Sequence, residues 1–194
     1  MHRGVIPIFM MIMAVVLVSG CIFNSDRLSQ VPPHLADATD ALMDLDLLEG
    51  KVNTFTLDDE IWMIDQLLSE IEAILEDDET TSPQYDAYLT WNNAFRLMSQ
   101  VFKEDYMIYQ SHLRQADRFY DDFNYVAWRG EIDHAKNQAA RMSEKSRNAA
   151  YMVDTINPED IPGDLQQSLR QSRSAMMEIA RQSSTLEDNL KKRL

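Results

Sequence analysis

Tyr88, Phe95, Phe102, Tyr109, Ala116 and Phe123 stand seven residues apart without a slip, and neither proline nor glycine interrupts the chain between Pro83 and Gly130. A sustained seven-residue apolar repeat demands a helix packed along a narrow seam. Trp91, Met98, Phe119 and Val126 fill the companion positions of that seam. Forty-five residues of helix would span about 68 Å, more than a bundle of this size needs. The spacing therefore predicts a bend or break between 120 and 131, near Asp121 and Asp122.

The rest of the chain follows the same grammar. Leu35, Ala38, Leu42, Leu45 and Leu48 recur at helical steps, which predicts a first helix over 33–49 with Gly50 as its C-cap. Thr56 and Asp59 suggest an N-cap box for a second helix over 57–76. Its seam is Leu57, Ile61, Ile64, Leu68, Ile71 and Leu75, and the short link at Gly50 makes it antiparallel to the first. Ser82 and Pro83 are suited to open the aromatic helix, the serine as cap and the proline at the first helical position. Past Gly130 the frame shifts to Ile132, Ala135, Ala139, Met142, Ser146, Ala149 and Val153, until Pro158 and Pro162 end the run. A last helix over 163–191 presents Leu165, Leu169, Ser172, Met176, Ile179, Ser183, Leu186 and Leu190. Small residues on these last two seams point to a close internal hairpin. The fold class expected is all-α: an antiparallel bundle of four to five helices over 33–194, with one long aromatic-rich helix over 83–128.

The first residues carry a different message. His2 and Arg3 precede an apolar run from Val5 to Val18, and Ser19 and Gly20 lead into Cys21, the chain's one cysteine. This stretch resembles the signal peptide and lipobox of prokaryotic lipoproteins, a likeness confined to residues 1–21. The resemblance implies cleavage before Cys21, a diacylglycerol on its thiol, and a domain held outside the cytoplasm at the cell membrane. An uncleaved membrane helix is the weaker reading, because a span needs about 20 apolar residues and this run holds Pro7, Ser19 and Gly20. Residues 1–20 would then be the signal peptide and 21–32 the lipidated cysteine and tether. With Cys21 lipidated, no cysteine remains for a disulfide, and packing alone must hold the domain.

Charge is distributed unevenly. Between Ile22 and Ser82 there are sixteen Asp or Glu against Arg27 and Lys51, whereas the remainder has sixteen acids and fifteen bases. Nearly all of the formal charge of −14 therefore lies in the first third of the mature chain. Nucleic acid and anionic headgroups would be repelled, so neither is expected as a partner. Three readings suit the acidic helices: a solvated face, a divalent-cation surface, or packing beside Arg141, Lys145, Arg170, Arg173 and Arg181 of the later helices.

Twelve of the seventeen aromatics fall in 85–128. At heptad spacing they read first as core, and second as a groove for an apolar or cationic ligand. Glu131 and His134 have the Glu-x-x-His spacing of di-metal bundles, but one such motif is too few for that site. No glycine-flanked nucleophile, phosphate loop or Cys-x-x-Cys-His is present, so catalysis, a cofactor and a metal are not expected. The expected function is a non-catalytic interaction or structural module of the cell envelope, binding a protein partner or further copies of itself. A small-ligand or sensory bundle using helix 83–128 is the alternative.

Overall fold

The computed structural model describes residues 27–48, 54–76 and 81–194, with 54–58 and 60 described by backbone alone. Cys21, the signal-like segment and Gly50 lie outside the described residues. Six α-helices follow in order: α1 Val31–Met43, α2 Thr54–Glu76, α3 Pro83–Gln100, α4 Met107–Asp121, α5 Tyr125–Asp154 and α6 Gln166–Lys191. A π-helical turn, Val101–Tyr106, joins α3 to α4, so 83–121 is one rod of about 58 Å. Five rods thus make an all-α bundle, with no strand among the described residues.

Helix α5 is the hub. It packs on α6 most extensively, and also on α3, the π turn and α4, while α1 bridges α2 and α6. Close approach of α5 and α6 follows from Ala135, Ala139, Ser146, Ala149, Ser172 and Ser183, all fully buried. Their hydroxyls do not go unpaired: Ser146 donates to Met142 O at 2.9 Å and Ser183 to Ile179 O at 2.8 Å. Across the seam, Ser143 donates to Ala180 O at 3.0 Å. In α2, Ile61, Ile64, Leu68, Ile71 and Leu75 are buried along the expected stripe. Ser82 Oγ accepts the Tyr85 N–H at 3.1 Å, with Pro83 opening α3, as the sequence predicts.

Several boundaries move. Leu28–Gln30 forms a 3-10 turn and α1 begins at Val31, two residues before the expected helix start at 33. Pro32 and Pro33 sit in the first turn of α1, where a missing N–H costs nothing. The helix ends at Met43, short of 49, because Leu45 and Leu47 are buried from a non-helical strap. The Leu47 N–H on that strap donates to Gln182 Oε1 of α6 at 2.8 Å. Helix α2 starts at Thr54, which places Thr56 inside the helix rather than at its cap.

The expected break in the long helix is present at Asp122–Asn124, within 120–131 and beside Asp121 and Asp122 as the sequence predicts. Gly130 lies within α5, with open space around the position a Cβ would take. The π turn is an addition the heptad spacing did not predict.

Candidate interaction site at a hairpin tip

At the end of α4 the chain reverses in three residues. Phe123 takes φ 56°, the left-handed region, and among the described residues it is the one non-glycine with positive φ. Its N–H bonds to Tyr120 O at 3.0 Å, and the Asn124 N–H to Phe119 O at 2.8 Å. These two bonds satisfy carbonyls that the helix end would leave open, in the pattern that normally places glycine where Phe123 stands. A bulky residue there costs about 1–2 kcal/mol. Asn124 then opens α5, its Oδ1 accepting the Ala127 N–H at 3.2 Å.

The hairpin projects beyond the rest of the bundle. Helix α4 packs on α5 and on the π turn that precedes it. Ser143 of α5 meets Ser184 of α6 at 2.8 Å, and the antiparallel α6 ends seven residues later at Lys191, which puts its end near Lys136 of α5. The residues of α5 between Tyr125 and that level add about 16 Å beyond it. On that projection Tyr120 meets Tyr125 edge-on at 5.8 Å between ring centres and Trp128 at 6.1 Å. Val126 is 86% exposed and Phe123 78%, more than any other large apolar side chain described. The sequence places both in the buried seam; the structure puts both in solvent, because the seam's partner helices end below them. Asp117, Arg118, Asp121, Asp122 and Arg129 surround the rings, all exposed.

Below the tip, His112 Nδ1 lies 2.6 Å from Glu131 Oε2, and the rings of His112 and His134 stack at 5.2 Å. The Glu131 and His134 pair thus gains a third member from α4. No group of three His, Cys, Asp or Glu among the described residues is placed to hold a metal ion. Glu131 instead serves as the partner of His112, spanning the two arms of the hairpin.

The lower aromatics form core. Tyr88, Trp91, Phe95 and Phe102 are fully buried, and burial pushes the Tyr88, Tyr106 and Tyr109 hydroxyls up, Tyr109 to about 12. At the rod's other end, Pro83, Asp86, Thr90, Thr155, Asn157 and Asp160 line a cleft of about 240 Å³, below the roughly 300–1,000 Å³ of small-molecule sites.

The chain matches no family model, no curated protein and no solved structure.

Among the described residues, the acidic helices pair with cations of the rod rather than of α5 and α6. Arg96 pairs with Glu72 and Lys103 with Asp65, while between the two acidic helices themselves His34 Nδ1 of α1 stands 3.5 Å from Glu70 Oε2 of α2. Of the five bases expected to meet them, Lys145 faces Asp105, Arg173 pairs with Asp154, and Arg181 with Glu178 on its own helix. Asp46, on the strap that follows α1, adds a smaller charge attraction to Arg181. The reason is topological: α2 lies against α3, and only the short α1 touches α6.

Proposed function

We propose that this chain is a lipid-anchored, extracytoplasmic helical bundle that serves the cell envelope as a non-catalytic interaction module. The observation that supports it is the projecting α4–α5 hairpin. Its aromatic end is exposed, strained at Phe123 and distant from the chain's entry point. Exposed apolar clusters of this kind mark contact surfaces. The turn Leu28–Gln30 packs on α2, and His34 on α1 stands beside Glu70 near the far end of that helix. Arg27 therefore sits near where the rod begins, and the tip lies most of the rod's about 58 Å away. A bundle tethered through Cys21 would hold its tip outward. Among the described residues no helix is long and apolar enough to cross a membrane.

Two measurements test this reading. Cys21→Ala should abolish lipid labelling and leave a slower-migrating precursor; normal maturation of that variant refutes the anchor. Mild-detergent extracts of membranes should carry the wild-type chain in an assembly larger than the protomer. A protomer-sized species that melts higher with a metabolite extract would instead favour the ligand-binding bundle.

A further inference from the structure

Resting on that reading, we infer that the hairpin tip docks into an apolar pocket, rimmed by lysine or arginine, on a different protein of the envelope. Phe123 and Val126 are the knob. They are the two most exposed large apolar side chains described, and they flank the turn on opposite sides of Asn124. At the same end of the hairpin, Tyr120 meets Tyr125 at 5.8 Å and Trp128 at 6.1 Å between ring centres, a cluster that loses little side-chain freedom on binding. Aromatic side chains of this kind carry most of the energy in small interfaces.

Charge selects the occupant. Asp121 and Asp122 adjoin Phe123 at the apex, exposed and without an ion pair among the described residues, and Asp117 lies one turn behind. Arg118 and Arg129 lie, like Asp117, about one turn back along the two helices, so the negative charge at the apex is that of Asp121 and Asp122. The apex therefore presents two carboxylates beside an apolar centre. A cationic rim is attracted by that pair. A bilayer is disfavoured, since seating Phe123 in hydrocarbon would take the carboxylates of Asp121 and Asp122 with it. A second copy is also disfavoured. Two tips would bring aspartates face to face, and the five apolar side chains of the tip fall short of the roughly 800 Å² per partner that a stable interface buries. A concave pocket overcomes the area limit by enclosing the knob on several sides.

The test is photo-crosslinking in intact cells, with benzoylphenylalanine at position 123 of the full chain and, separately, at position 126. Circular dichroism of each variant should match wild type, because both sites are exposed. The expected result is one protein adduct from both positions, mapped by mass spectrometry to a segment bearing lysine or arginine. Asp121→Lys with Asp122→Lys should lower its yield at least tenfold. A yield indifferent to charge reversal overturns the cationic rim. Adducts to lipid, or to a second copy of this chain, overturn the choice of partner. No adduct at either position overturns tip docking, and the interaction-module reading then stands or falls separately on the size of the membrane-extracted assembly.

Discussion

Gln138 of α5 donates its side-chain N–H to Asp105 Oδ1 at 2.6 Å, holding the π turn of the rod against the middle of the bundle's central helix. The Lys145 ammonium stands 2.6 Å from the other carboxylate oxygen, close enough for charge attraction but misdirected for a hydrogen bond. Asp105 is buried, so these two neighbours stand in for the water its side chain gives up. π turns commonly mark sites where a helix must present one side chain off its regular phase. Here that side chain is Asp105.

The first prediction concerns this pair. Gln138→Leu should cost about 1–3 kcal/mol in urea unfolding, because it leaves a buried acceptor unpaired. Lys145→Met alone should also destabilise. Asp105→Leu, Gln138→Leu and Lys145→Met combined should recover most of the loss, since no buried polar group is then left without its partner. A triple variant no better than the worse single one would mean the cluster is net stabilising.

The tip should respond in the opposite sense. Phe123→Gly relieves a left-handed backbone that costs about 1–2 kcal/mol, partly offset by glycine's larger entropy when unfolded. The expected outcome is an unchanged or higher melting temperature. Phe123→Val should lower it, because a branched Cβ fits positive φ worst. Gly130→Ala should add about 0.5–1 kcal/mol, as Gly130 lies inside α5 with nothing near the new methyl. A tip where two substitutions hold or raise stability is one whose sequence answers to something other than folding.

How much of this was legible beforehand can be judged from single residues. Ile61, Leu68, Tyr88, Phe95, Met142 and Ile179 are buried where periodicity put them, because a seam in contact with its neighbours leaves a direct trace in apolar spacing. Phe123 and Val126 continue the same spacing and are exposed, since periodicity reports a helix face and not whether a partner reaches it. Asn124, a strong N-cap residue after two aspartates, was the available sign of a chain reversal there. The π turn left no such trace. Phe102 and Tyr109 keep their seven-residue interval across it, while the buried Asp105 is invisible to a count of apolar positions. Cys21 was read by resemblance alone.

Alkaline pH should unfold the bundle through its tyrosines. Burial raises the hydroxyls of Tyr88, Tyr106 and Tyr109, the last also through its neighbour Tyr106 and with Arg193 opposing. A raised folded value means stability is fully retained below the unfolded value near 10 and lost as pH climbs through the folded one. For Tyr109, which titrates at about 12, the loss across that window is on the order of 2–3 kcal/mol. Absorbance at 295 nm should show tyrosines ionising together with loss of helix by circular dichroism. Full ionisation with the helix signal intact would contradict the burial of these rings.

The last prediction concerns where the acidic third finds its counter-charges. Asp65 of α2 receives the Ser99 hydroxyl at 2.6 Å and the Lys103 ammonium, and Glu72 receives Arg96, so α2 is held to the rod by three polar links. Exposed ion pairs contribute about 0–1 kcal/mol each, and the hydroxyl bond to a half-buried carboxylate about 1 kcal/mol more. Asp65→Ala, which severs two links at once, should therefore lower the melting temperature more than Glu72→Ala does. Arg141 and Arg170 have no ion pair among the described residues, and replacing both with glutamine should leave stability within about 0.5 kcal/mol. Moderate salt should raise the melting temperature of every variant, because sixteen acids against two bases repel one another whatever their partners. The ranking among variants, rather than the salt response, is what locates the contacts. If the Arg141 and Arg170 changes proved more costly than Asp65→Ala, the acidic helices would have to lie against α5 and α6 after all, and the packing order α1, α2, rod would be wrong.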